Sequence, residues 1–294
     1  MVWGVCQLHD SSSFRLAQTK KTPLIFKKGS DRASYTFKVS NGTLSVPSSV
    51  QKLESIKWYY STVKDDKADS GKLTDESFCK IYVILREPIK IGGEQPPRKD
   101  VLNIACEVAK GKKDGDSIRD AMTGGLWNYL NGNGFTYKPG LPSHSIVPDD
   151  PPIESYKDAY QRFMIFKLRE LVDHHYGDCK DASSLSHICC YSLGVDQKVI
   201  VTTYRNSRRT FFTKRVKGFG LPSFISNEFA HHQVSIDTSS NKIYDPTCKF
   251  LPNDFAVNKS RKNYLDLFVE FAESDELYYR GMRWYHPREV MQIQ

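Results

Sequence analysis

Apolar and polar positions alternate along the first third of the chain and shift to a helical period beyond it. Ser34-Tyr35-Thr36-Phe37-Lys38-Val39 and Cys79-Lys80-Ile81-Tyr82-Val83-Ile84-Leu85 carry β-branched and aromatic residues in the short alternating pattern of strands. Turn residues separate them, including Ser40-Asn41-Gly42 and the polar run from Lys64 to Lys72. Residues 1–95 therefore read as a small all-β, sandwich-like domain. Gly92-Gly93-Glu94-Gln95-Pro96-Pro97 reads as a linker.

Beyond it, Val101, Ile104, Ala105 and Val108 share one helical face, with Asp100 as a prospective cap. Ile118, Met122 and Leu126 mark a second helix, and residues 132–152, rich in Gly, Pro, Ser and Asp, read as a connector. Residues 156–174 read as one apolar helix through Tyr160, Phe163, Met164, Leu168, Leu171 and Val172. A further helix opens at Cys179, repeats apolar residues at Ala182, Leu185, Ile188, Cys189 and Leu193, and stops at Gly194. Strands are expected over residues 195–203, 211–216, 229–236 and 242–245, with Thr238-Ser239-Ser240-Asn241 turning between the last two. A helix packed on an antiparallel sheet makes residues 96–294 an α+β domain.

Composition narrows the function classes. With 294 residues, 39% of them apolar, the chain can bury a sizeable core and is not of disordered type. No apolar run approaches the roughly 20 residues that cross a bilayer, and Met1 to Cys6 lacks a leader pattern, which leaves the compartment open. The net charge of +8 suits acidic partners. Its basic residues are scattered, as at Lys20-Lys21, Lys27-Lys28, Arg208-Arg209 and Lys214-Arg215, so a solvated basic surface is expected rather than a nucleic-acid groove. Seven cysteines without a CxxC pair or a regular spacing indicate neither a disulfide framework nor a zinc ribbon.

Candidate chemistry centres on His175-Tyr176-Gly177-Asp178-Cys179-Lys180-Asp181. It sets one cysteine at the first turn of a helix, where unpaired N–H groups and the helix dipole favour thiolate. Asp178 is expected to cap that helix through the N–H of Lys180 or Asp181. His231 and His232 are both possible bases. His232 shares the parity of Val234 and Ile236, while His231 shares that of Gln233 and Ser235, and either face could meet a helix-borne thiol. Asp245, at the end of the next strand, is the orienting carboxylate, expected to accept from the histidine Nδ1–H. The oxyanion would take the Cys179 N–H and one further donor among Tyr176, Trp127 and Asn128. His174, His175, Asp178, Cys179 and His187 match no common zinc spacing, and no EF-hand run is present, so no metal or cofactor is expected.

Taken together, Tyr176-Gly177-Asp178-Cys179-Lys180-Asp181, Leu221-Pro222-Ser223, Phe229-Ala230-His231 and Asp245-Pro246-Thr247 resemble the motifs of the transglutaminase-like (papain-like thiol) superfamily. The nearest subset is bacterial proteins with an all-β domain ahead of a transglutaminase-like core. The resemblance spans about residues 98–250. Ala230 stands where that subset usually has Asn, and His232 where it usually has an aliphatic residue. The resemblance implies Cys179 as nucleophile, His231 as base and Asp245 as orienter. It also implies a helix-plus-antiparallel-sheet core and a thioester route acting on peptide or protein amides, with hydrolysis favoured over amine transfer. The alternative is a non-catalytic binding or scaffold protein on the same fold.

Overall fold

The computed structural model of the protein describes residues 2–7, 15–18, 48–60, 72–92, 97–139, 141–146, 164–204, 211–225, 228–251, 254–270, 282–284 and 290–294. They divide into two compact units, Met1–Val83 and Ile84–Gln294.

The first unit is one antiparallel sheet, in the order Arg15–Gln18, Val2–Gln7, Gln51–Tyr60, Lys72–Val83. The Gln51–Tyr60 strand is paired on both sides, and shifts of register beside Leu53/Ser55 and Trp58/Tyr59 bend the ladder. The strand and turn expected over residues 34–42 lie outside the described residues. The division falls at Val83/Ile84 rather than near residue 95 because the following segment is fastened to the second unit. Ile89 N–H donates to Tyr191 O at 2.9 Å.

The second unit mixes helices with several small sheets. Its largest sheet is antiparallel, in the order Lys242–Tyr244, His231–Asp237, Lys198–Tyr204, Met282–Trp284. Against the His231–Asp237 strand packs the Cys179–Ser192 helix, which is buried on every face. A helix so enclosed must satisfy its polar side chains internally. Ser183 and Ser192 return their hydroxyls to the Cys179 and Ile188 carbonyls, and Gln233 Nε2 donates to Ser183 Oγ at 2.9 Å. His187 bridges two segments: its Nδ1 meets the Gln197 carbonyl and its Nε2 accepts from Val290 N–H.

The helix ends where expected. Gly194 lies at φ 75°, and a Cβ there would sit 2.7 Å from both Arg86 Cβ and Glu87 O, so only glycine fits. The helix expected from residue 116 runs as Gly115–Asp120, a π-helical turn over Ala121–Gly125, and Leu126–Gly132.

Two other expectations are corrected. Residues 164–174 are not one helix: Met164–Phe166 is a strand between Ser145–Ile146 and Val290–Ile293, and only Leu168–His174 is helical. A short apolar run fits either period, and here the end of the chain supplies a strand partner; residues 156–163 lie outside the described residues. Asp100 is not a cap, because the Lys99–Val108 helix opens at Arg98, which puts Asp100 inside the first turn, where its charge favours the dipole. Among the described residues, no helix is long and apolar enough to cross a membrane.

Candidate functional site

Cys179 is the first residue of its helix and is 4% exposed. Asp178 caps that helix as its position predicts: Oδ1 accepts from Lys180 N–H at 2.8 Å and from Asp181 N–H at 3.1 Å. Asp181 completes a reciprocal box by accepting from Asp178 N–H at 3.1 Å. Its other oxygen accepts from Ser145 N–H and Ser143 Oγ, tying residues 143–145 to the nucleophile turn. Burial, and then the Asp178 charge, push the Asp181 carboxyl up to about 7. With Lys180 and Asp181 N–H groups held by the Asp178 side chain, the Cys179 N–H is the first-turn amide that side chain does not engage.

The histidine that meets the carboxylate is not the one expected. His232, not His231, meets Asp245: His232 Nε2 lies 3.1 Å from Asp245 Oδ2, and both residues are fully buried. Strand register is the reason. Ser235 pairs with Tyr244 and Ile236 with Ile243. The next step of that ladder sets Asp245 opposite Val234. Alternate positions share a face, so His232 lies diagonal to Asp245 while His231 points the other way. The same register is countable from the Thr238–Asn241 turn, a signal present in the chain once the hairpin is closed. The ring atom is also reversed from expectation, Nε2 and not Nδ1 meeting the carboxylate.

Cys179 acts on the same ring. Burial penalises a charged His232, but the Asp245 charge and then that of Cys179 outweigh it and bring the imidazole up to about 10. Hydrogen bonding to Cys179 adds to the same effect. Nδ1 lacks a partner at full hydrogen-bond geometry. Phe268 and Phe229 wall the ring, with centroids 4.5 and 5.5 Å from it.

Both oxygens of Asp245 accept hydrogen bonds. Its Oδ2 also accepts from Tyr264 Oη at 2.8 Å, and its Oδ1 accepts from Thr247 N–H at 2.8 Å. Tyr264 comes from the Arg261–Phe268 helix and was not singled out by sequence reasoning, since nothing local ties a helix tyrosine to a distant carboxylate. Cys248 lies close by; burial and then the Asp245 and Cys179 charges push its thiol well up, which makes it a poor nucleophile.

Asn128 is exposed, Trp127 packs on Phe255 under Lys249, and Tyr176 stacks on His174. Tyr137 lies near enough for the Cys179 charge to act on its phenol. The Thr136–Tyr137 strand pairs in parallel with Tyr176–Gly177, which brings Tyr137 opposite Gly177. Its hydroxyl is buried without a partner. Burial, and then the charges of Cys179, Cys248, Asp178 and Asp245, hold its phenol well above the usual value, so it stays a proton donor. Gly218 makes room for it, since a Cβ there would lie 2.6 Å from the Tyr137 ring. His174 and His175 sit exposed at the end of their helix, as the dipole argument expects. No protein-family model matches the chain, and no curated protein matches it.

Proposed function

We propose that the chain is a cysteine enzyme of transglutaminase-like type that forms a thioester with a peptide or protein amide. One observation supports this best: buried His232 is held by the Asp245 carboxylate and is influenced by the Cys179 thiol as well. An imidazolium beside a thiol favours thiolate, the nucleophilic form. Cys179 Sγ attacks the amide carbon, and the charge on oxygen is met by the Cys179 N–H and the Tyr137 hydroxyl. His232 gives its proton to the departing nitrogen, the C–N bond breaks, and a thioester remains. Water that yields a proton to His232 then releases the acid, or an amine in its place forms a new amide. Hydrolysis is the favoured outcome because water needs no dedicated site. An all-β domain ahead of a transglutaminase-like core is part of the same proposal.

Burial of the thiol favours a second reading, a non-catalytic binding or scaffold protein. Cys179 is 4% exposed, and a substrate carbonyl must reach its sulfur. Iodoacetamide rates against pH separate the two, on wild type and on Cys179→Ala, His231→Ala and His232→Ala. The enzyme reading expects one thiol that reacts fast well below the free-thiol value of about 8.5. That reactivity should vanish in Cys179→Ala, drop in His232→Ala and persist in His231→Ala. If Cys179 reacts no faster than Cys106, Cys189 and Cys190, the second reading stands.

A further inference from the structure

Cys248 has no task in acyl transfer, yet it sits against the site. It opens the Cys248–Phe250 strand, is wholly buried and is not in a disulfide. The Asp245–Thr247 turn carries it there, held by the Thr247 N–H bond to Asp245 Oδ1 at 2.8 Å. The Cys248 sulfur, a His232 ring nitrogen and an Asp245 carboxylate oxygen all lie within 4.8 Å of one another. Among the described residues, this is the group of such donors that converges on one point.

We propose that His232, Asp245 and Cys248 bind one thiophilic divalent cation of the Zn2+ class, and that the bound ion silences the thiol by taking the imidazole. Only the silencing rests on the thiol-enzyme reading; the coordination stands without it. One sulfur, one nitrogen and one carboxylate suit zinc, whereas calcium and magnesium require an oxygen cage. Bonds of about 2.0–2.3 Å set tetrahedral ligand atoms roughly 3.3–3.8 Å apart. The three donors, within 4.8 Å of one another, come into that range by small side-chain shifts. On loading, the Cys248 thiol and the imidazolium each lose a proton to solvent, and thiolate plus carboxylate balance the ion's charge. Three protein ligands leave a fourth position for water. While ligated, the His232 ring is held neutral with one nitrogen occupied, so it neither favours the Cys179 thiolate as an imidazolium nor shuttles the proton of acyl transfer.

The test uses the full chain, reduced and freed of metal by chelator, with Co2+ as spectroscopic probe and Zn2+ in equilibrium dialysis. One ion per chain is expected, with a thiolate-to-cobalt charge-transfer band. Cys179→Ala should keep the band, while Cys248→Ser should lose it and bind about tenfold or more weakly. Lack of saturable uptake, uptake indifferent to Cys248→Ser, or a band that departs with Cys179 overturns the inference. Should Cys248→Ser fail to fold, X-ray absorption of zinc-loaded Cys179→Ala decides: one sulfur near about 2.3 Å supports the site, and a shell with none or several overturns it. Zinc should also slow Cys179 alkylation in wild type; loading without slowing overturns the silencing. A chain whose Cys179 alkylates fast but takes up no zinc fails this inference alone. A chain that takes up zinc but has no fast thiol fails the enzyme reading alone.

Discussion

His232 Nε2 and Asp245 Oδ2 meet at 3.1 Å inside the protein, and neither residue reaches solvent. Removing one member of a buried charged pair leaves the other unpaired and is strongly destabilising. That one relationship gives the fold a pH dependence and, on the proposed reading, activates the thiol.

The pH window follows from the direction of the shift. Burial disfavours the charged ring, but Asp245 and then Cys179 raise His232 from 6.5 to about 10. A raised folded value means that the pair stabilises fully below the unfolded value and loses that contribution as pH climbs through the folded one. Urea unfolding of wild type should weaken between about pH 6.5 and pH 10. Asp245→Asn should be less stable at pH 7 and flatter over that window; identical slopes in the two chains would refute the pairing.

Tyr264 holds the carboxylate that meets His232. Its hydroxyl donates to Asp245 Oδ2 at 2.8 Å from a fully buried position. Hydrogen bonds to charged groups contribute about 1.5–3 kcal/mol, so Tyr264→Phe should lower the urea-unfolding free energy by about that much. A change well under 1 kcal/mol would mean the bond is idle.

Tyr137→Phe separates acyl transfer from simple thiol reactivity. Attack on a p-nitrophenyl ester builds an oxyanion, whereas alkylation by iodoacetamide does not. Loss of one oxyanion donor costs about 10²–10³-fold. Burst kinetics should therefore show acyl-enzyme formation slowed on that order, with a far smaller effect on alkylation. Equal losses in both would remove Tyr137 from the oxyanion role.

Gly194→Ala tests how the long helix is stopped. Its φ of 75° strains any side chain, and the new Cβ would lie 2.7 Å from Arg86 Cβ and Glu87 O. Left-handed strain and overpacking each cost about 1–3 kcal/mol. A clear drop in the thermal midpoint is expected, and an unchanged midpoint would show that residues 86–87 yield freely.

Local chemistry was legible in the chain. Asp178 ahead of an apolar period announces a capped helix, and it caps one with Lys180 and Asp181. Gly194 announces its end. Both depend on neighbours a few residues away, whose backbone groups are at hand whatever the rest of the fold does. Met164–Phe166 was not legible as a strand, because an apolar triplet carries no period of its own until Val290–Ile293 pairs beside it.

The sequence by itself determined that a cysteine opens a helix, that two histidines follow on a strand, and that an aspartate comes at the end of the next one. Only the tertiary structure chose between His231 and His232, turned Nε2 toward Asp245, and brought Tyr137, Tyr264 and Cys248 to the same place. The reason is physical. A strand's faces alternate at every residue, so one step of register exchanges the base. Partners far apart in sequence meet only when sheets and helices pack.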